Sequence, residues 1–340
     1  MEHRGLKIII ENKIPYMNGI FEPYAEVAYV SSDNITPELM KDADALITRT
    51  RTKVNRELLE ESICKVVATA TIGTDHIDLD WCAENGVKVI NAPGCNAPAV
   101  AQYVFATIAY IMKNVKPESL TIGIVGVGNV GRIVERWAKQ FGMTVLLNDP
   151  YRADNEEADK FVSLETIAEK ADIITFHTPM SKDGKYPSYH LCSEKFIDSL
   201  CRKPLIINAA RGAVADTAAL LKGLPEGKIS ALAIDCWENE PDISLELLGK
   251  VNIGTPHIAG YSASGKARAS AAVVKGVAEE LNIPVAENII KVTPATYLPT
   301  SLEEVAGSYD ISRDSSTLKA APRGFEEYRN SYSFRKEVGE

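Results

Sequence analysis

Short apolar runs alternate with helical patterns along most of this chain, and they do so in two series. Runs at Lys7–Ile10, Val27–Val30, Ala45–Thr48, Val66–Thr69 and Val87–Ile90 are separated by patterns such as Pro37–Asp42 and Asn55–Ser62. A second series runs through Ile122, Val145–Leu147, Phe161–Val162, Ile173–Phe176, Leu205–Asn208 and Ala231–Asp235. Strands that alternate with helices imply parallel sheets covered on both faces. Between the series, Ala97–Lys113 reads as one long helix entered through the turn-rich Asn91–Asn96, which places a boundary there. The Ala-, Val- and Lys-rich stretch Ala263–Leu281 has helical spacing suited to a return to the first lobe. The expected division is therefore a discontinuous substrate domain of residues 1–96 and 262–283 and a cofactor domain of residues 97–261. Residues 284–340 follow as a C-terminal segment, proline-punctuated and then charged and tyrosine-rich, expected in subunit contact or partly disordered.

At 340 residues the chain exceeds one ordinary core. A net charge of −9 argues against broad nucleic-acid or anionic-membrane binding. Cys64, Cys82, Cys95, Cys192, Cys201 and Cys236 form no Cys-x-x-Cys pair, which suits reduced thiols in a cytoplasm. The apolar run at Leu6–Ile10 is too short for a signal segment, and Ala99–Met112, interrupted by Gln102, falls short of a membrane span. A soluble cytoplasmic protein is expected. Of the five histidines, His3 stands in a terminus expected to be mobile, and His76 and His190 fall in polar loops. No histidine has metal-ligand spacing to another His or Cys, so no metal is expected.

The loop Gly126-Val-Gly128-Asn-Val-Gly131 follows the strand-like Leu120–Val125 and opens the amphipathic Val130–Phe141. In that context Gly126 permits a tight turn, Gly128 lets backbone approach a pyrophosphate, and Gly131 lets helix and strand pack closely. The phosphates would face a positive helix terminus. Asp149 ends the next run, at the offset of an acid that accepts hydrogen bonds from the ribose hydroxyls. Such an acid favours NAD over NADP, although Arg152 stands nearby. His177 after Ile173–Phe176 reads as structural.

Three residues that could carry chemistry follow in order. Arg211, just after Leu205–Asn208, offers a planar fork suited to a carboxylate and an adjacent oxygen. His257 ends the short run Val251–Gly254 and is the candidate base for a hydroxyl proton. Glu240 would orient that imidazole and stabilise its protonated form. Asp235 is placed near the nicotinamide side of the cofactor.

With these residues the chain resembles the D-isomer-specific 2-hydroxyacid dehydrogenases. The strings Glu11–Tyr16, Ala70–His76, Ala92–Asn96, Phe176–Pro179 with Lys182–Gly184, and His257–Tyr261 with Gly265–Arg268 look like the branch that oxidises 4-phospho-D-erythronate in vitamin B6 synthesis. The resemblance implies an α/β fold of two doubly wound parallel-sheet lobes, a Rossmann-type cofactor domain and a flavodoxin-like substrate domain, with a short C-terminal dimerisation segment and a homodimer. It implies Arg211, Glu240 and His257 as catalytic residues and Thr50, Thr71 and Tyr261 as substrate contacts. The NAD contacts become Gly126, Gly128, Asn129, Val130, Gly131, Asp149, Thr178, Ala209, Ala210, Asp235 and Gly260. Arg49, Arg51, Lys53, Lys266 and Arg268 are candidates for a substrate phosphate. Gln102 stands where relatives often carry glutamate, and the region after Leu281 reads as shorter than the dimerisation domain of better-known members, with Tyr309–Ser315 and Gly324–Asn330 as remnants. The rival readings are another acid such as D-3-phosphoglycerate, and a non-catalytic NAD-sensing interaction protein.

Overall fold

The computed structural model describes residues 4–156 and 158–340; His3 lies outside them. Among these residues the chain forms two compact units, Met1–Asn96 with Ala263–Ala295, and Ala97–Ser262 with Thr296–Glu340. Each unit is built on one sheet in which every strand pairing is parallel.

In the first unit the strands are β1 (Leu6–Glu11), β2 (Ala25–Val30), β3 (Ala45–Thr48), β4 (Val66–Thr69) and β5 (Lys88–Ile90), in spatial order β2-β1-β3-β4-β5. This is the flavodoxin-like order, whose ligand crevice opens between the first and third strands. Alternate residues serve opposite faces. Ile8, Ile10, Ala45, Ile47, Val66 and Ala68 pack with Val273, Val274 and Val277 of the helix Ala263–Glu280. Their neighbours Ile9, Leu46 and Val67 pack on the other side with Met40, Leu58, Leu59 and Cys82. A strand apolar on both sides has helices on both, as its uninterrupted hydrophobic sequence requires.

The second unit contains β6 (Thr121–Val125), β7 (Thr144–Asn148), β8 (Ile173–Phe176), β9 (Leu205–Asn208), β10 (Ala231–Ile234) and β11 (Ile253–Gly254), ordered β11-β10-β9-β8-β6-β7. The order reverses between β6 and β8, so their carboxyl ends border the crevice. Phe161–Val162, expected as a strand, is a loop. The Val162 amide donates to the Leu147 carbonyl at 2.7 Å, but the Asn148 side chain takes the Val162 carbonyl and Ser163 caps the next helix at once. The outermost position of a Rossmann sheet is thus reduced to one backbone bond.

The helix Ala97–Ile111 is buried over most of its circumference, and no helix among the described residues is long and apolar enough to cross a membrane. The stretch expected as one segment at 284–340 is divided between the units. Its part from Thr296 onward belongs to the second unit, where Leu302, Val305, Tyr309, Ile311, Leu318 and Phe325 enter the core. The short edge strand β11 is covered there: Gly254 N–H donates to Ser315 Oγ at 3.0 Å, and Lys319 Nζ donates to the Val251 carbonyl at 2.6 Å. The tyrosines that made this region look poorly suited to a core are consumed by one acid. Tyr309, Tyr328 and Tyr332 each donate a hydroxyl to the buried Asp314 carboxylate at 2.7 Å. Asp314→Ala should therefore cost about 1–3 kcal/mol in urea denaturation, because three phenols lose their acceptor. An unchanged stability would contradict this assignment.

Candidate active site in the second unit

The glycine loop closes the turn from β6 into the helix Asn129–Gln140. Gly126 has φ of 90°, and a Cβ there would sit 2.7 Å from the His177 carbonyl carbon. A Cβ on Gly131 would sit 2.2 Å from the Gly126 oxygen, whereas one on Gly128 would meet nothing within 4 Å. The first and third glycines are thus demanded by the fold, and the second borders open space. Asp149 binds the same loop, its Oδ2 accepting from Val127 N–H at 2.9 Å and its Oδ1 from Arg152 N–H at 3.1 Å. Arg152 is engaged with Glu156 and the Val127 carbonyl. Across the strand reversal, Thr178 Oγ1 is buried without a hydrogen-bond partner. Burial holds the His177 imidazole neutral, its pKa pushed down to about 3, with Nε2 2.9 Å from Thr175 Oγ1. Backbone amides at a helix start, an acid at the second strand end and an orphaned hydroxyl fit a dinucleotide.

Arg211 is set by Asn208, a buried polar residue closing β9. The Asn208 amide group donates to the Arg211 and Cys236 carbonyls at 3.0 and 3.2 Å, and its oxygen accepts from Ala210 N–H at 3.3 Å. Gly212 lets this loop touch the next, since a Cβ there would sit 1.8 Å from the Trp237 carbonyl oxygen. Arg211 Nη1 donates to the Ala210 carbonyl at 2.9 Å. Ala209 and Ala210 thus lie on the loop that carries Arg211.

His257 and Glu240 meet. Nδ1 lies 2.8 Å from Glu240 Oε2, and because a carboxylate can only accept, Nδ1 carries the hydrogen. The other Glu240 oxygen accepts from Trp237 N–H at 2.8 Å. Burial opposes the imidazolium, but the Cys236 sulfur and the Glu240 carboxylate beside it outweigh that effect and raise the His257 pKa above its ordinary value. Burial likewise raises Glu240, and the His257 charge and hydrogen bonds turn the net direction downward. Cys236, Glu240 and His257 bring one ligand-type atom each within 4.8 Å of one another, a convergence that the spacing along the chain does not disclose. A second such group, His190 with Asp216 and Glu238, is internally hydrogen-bonded, with His190 Nε2 2.7 Å from Glu238 Oε1.

Asp235 turns inward. It is 1 % exposed, with Oδ1 accepting from Thr255 Oγ1 at 2.7 Å and Ile258 N–H at 2.8 Å, and Oδ2 accepting from Ala259 N–H at 2.9 Å. Burial pushes this carboxyl up, against the pull of His257 and these donors. Three donors on an acceptor make it a carboxylate beneath the His257 loop, a placement that nothing local in Ala231–Cys236 signalled. Gly260 and Tyr261 complete that loop, and Arg329 Nε donates to the Tyr261 hydroxyl at 3.1 Å. Gln102 donates to Ser308 Oγ and the Lys336 carbonyl while accepting from Arg335, so a ionised glutamate could not replace its donor half.

The remaining candidates lie in the first unit. Thr50 is exposed, and Thr71 Oγ1 lies 2.7 Å from Thr69 Oγ1. Arg49 is held by the buried Glu11 carboxylate, through its backbone N–H at 2.9 Å and its Nε at 2.8 Å. Arg268 donates to the Cys95 and Thr293 carbonyls. Arg51 and Lys53 are exposed, Lys266 is half-buried, and Thr52 Oγ1 and His76 Nε2 are buried without hydrogen-bond partners.

Residues 108–259 match the family model for the D-isomer specific 2-hydroxyacid dehydrogenase NAD binding domain. Erythronate-4-phosphate dehydrogenase of Bacteroides thetaiotaomicron is 48% identical over 98% of this chain and 97% of its own. The Escherichia coli O81 protein of that name is 41% identical over 98% and 92%. The match thus spans nearly the full length of the Bacteroides relative. Among solved structures, D-lactate dehydrogenase from Aquifex aeolicus, complexed with NAD and lactic acid, has a TM-score of 0.68 at 25% identity over 81% of this chain and 95% of that one. An acyclic imino acid reductase shares the fold with a TM-score of 0.70 at 24% identity, over 83% of this chain and 100% of that one. The chain belongs to the erythronate-4-phosphate dehydrogenases, within the NAD-dependent D-isomer-specific 2-hydroxyacid dehydrogenase family.

Proposed function

We propose that this protein oxidises C2 of 4-phospho-D-erythronate to (R)-3-hydroxy-2-oxo-4-phosphooxybutanoate, with NAD, in the synthesis of pyridoxal 5'-phosphate. The observation that carries the chemistry is the 2.8 Å contact between His257 Nδ1 and Glu240 in a loop system that also carries Arg211. The substrate follows from likeness to the named relatives over nearly the whole chain.

When bound, NAD supplies the hydride acceptor. Glu240 occupies Nδ1, so Nε2 of His257 takes the hydroxyl proton, and the carboxylate stabilises the imidazolium that results. Arg211 pairs with the substrate carboxylate through its fork. Substrate contacts are proposed at Thr50, Thr71 and Tyr261. Cofactor contacts are proposed along Gly126, Gly128, Asn129, Val130 and Gly131, and at Asp149, Thr178, Ala209, Ala210 and Gly260. Asp235 is proposed to serve the cofactor side by holding the 257–259 loop. The homodimer and the cytoplasmic location belong to the same proposal; the scattered cysteines, with no Cys-x-x-Cys pair among them, suit the location.

Purified protein assayed for NADH formation should turn over 4-phospho-D-erythronate far better than D-3-phosphoglycerate. Equal or reversed preference would overturn the substrate, and no turnover with any 2-hydroxyacid would favour a non-catalytic NAD sensor. The kcat/KM for oxidation should rise with pH through an apparent pKa above the ordinary histidine value of about 6.5, because the base must be neutral. Glu240→Gln removes the charge that favours imidazolium, so this limb should move to lower pH as overall activity falls. A limb that stays in place would show that another group titrates. Asp149→Ser should raise the KM for NAD roughly tenfold or more, as expected for charge-assisted ribose bonds of about 1.5–3 kcal/mol, and should narrow the preference over NADP. An unchanged KM would remove Asp149 from the cofactor site.

A further inference from the structure

The chain after Tyr332 crosses the loop that carries His257. Arg335 N–H donates to the Tyr261 carbonyl in a short parallel bridge with Ser262, and Ser262 Oγ donates to the buried Glu337 carboxylate at 2.6 Å. From this position the Arg335 guanidinium spreads over three carbonyls of the loop. Nη1 donates to Ile258 O at 2.9 Å and to Tyr261 O at 3.3 Å, and Nη2 donates to Ala259 O. Nη2 also reaches Ala99 O at 2.9 Å, and Nε donates to Gln102 Oε1 at 3.0 Å. The cation lies over the Tyr309 ring, 4.3 Å from its centroid.

The opposite side of the loop is held by Asp235, which accepts the Ile258 and Ala259 amides. The peptide joining Ile258 to Ala259 therefore has its oxygen on Arg335 and its N–H on Asp235, so a buried anion and a cation are bridged through main chain. That peptide lies one residue beyond His257, whose φ of 56° is left-handed and unfavourable for a side chain of its size. Such a conformation persists where its surroundings over-determine it.

We propose that Arg335 is a positioning residue for the reaction, its guanidinium clamping the carbonyls of Ile258, Ala259 and Tyr261 so that the His257 ring points one way. The inference rests on His257 being the base. A planar fork reaching four main-chain carbonyls and a side-chain amide oxygen has a geometry that a lysine cannot reproduce.

In purified full-length protein, Arg335→Ala should lower kcat on the order of tenfold to a hundredfold, the scale of a small misplacement of a reacting group. The KM for NAD should change less than kcat, because of the proposed cofactor contacts only Gly260 lies on the clamped loop, while the glycine loop and Asp149 stand apart from it. Added guanidinium ion should restore part of the lost kcat, and Arg335→Lys should remain slow. His257→Ala is measured beside them. If it retains turnover, the reading of the site fails and this inference with it. If it is inactive while Arg335→Ala has wild-type kcat, the inference alone fails. An Arg335→Ala protein that melts cooperatively, is slow and gains nothing from guanidinium would also overturn it. Should Arg335→Ala not fold, Arg335→Lys replaces it, and a folded Lys variant at wild-type kcat would overturn the clamp.

Discussion

The buried Asp235 carboxylate is the contact on which the candidate site depends. Stripped of water, a carboxylate must find donors inside the protein, and Asp235 finds them in Thr255 and in the amides of Ile258 and Ala259. Those donors pin the residues on both sides of His257. The constraint reaches the core as well, because Thr255 Oγ1 also lies 3.0 Å from the hydroxyl of Tyr103, on the buried helix Ala97–Ile111. With one hydroxyl proton given to the carboxylate, Thr255 accepts the Tyr103 hydrogen, and a chain of hydrogen bonds ties helix, loop and strand end together.

Two opposing effects set the chemistry of His257. Burial favours the neutral ring, and a neighbouring carboxylate favours the charged one. With the Cys236 sulfur close by and Glu240 at 2.8 Å the charged form is favoured, since the same exclusion of water that penalises a lone charge strengthens a close opposite pair. A base tuned in this way accepts a proton readily and releases it less readily. That asymmetry suits the proposed role of His257, in which the imidazole takes the hydroxyl proton as the hydride leaves.

The architecture was largely legible because its signals are local. Residues such as Ile8, Ile9 and Ile10 form unbroken apolar runs, and runs apolar on both faces announce sheets covered on both sides. The glycine loop was legible for the same reason, since close approach at Gly126 and Gly131 admits no side chain. Phe161–Val162 misled because two apolar residues mark burial without deciding which group takes their backbone hydrogen bonds, and there Asn148 takes one. The C-terminal stretch misled in the opposite sense. Its charges and tyrosines read as a tail for subunit contact or partial disorder, yet Asp314 gathers three hydroxyls in the interior, and a cluster spread from Tyr309 to Tyr332 leaves no periodic trace. In the site, Arg211, Glu240 and His257 stood out by residue type and order. Asn208, Cys236 and Arg335 did not, because their partners are backbone groups or lie far along the chain. Arg49 illustrates the converse: sequence offers it as a free cation, and the fold commits it to Glu11.

The central claim is that hydrogen leaves C2 of the acid as hydride while the site holds the hydroxyl proton. Turnover of 4-phospho-D-erythronate carrying deuterium at C2 tests it most directly, with the NADH product examined by mass spectrometry. The account predicts one deuterium on the nicotinamide ring and a slower chemical step. NADH free of deuterium would contradict it.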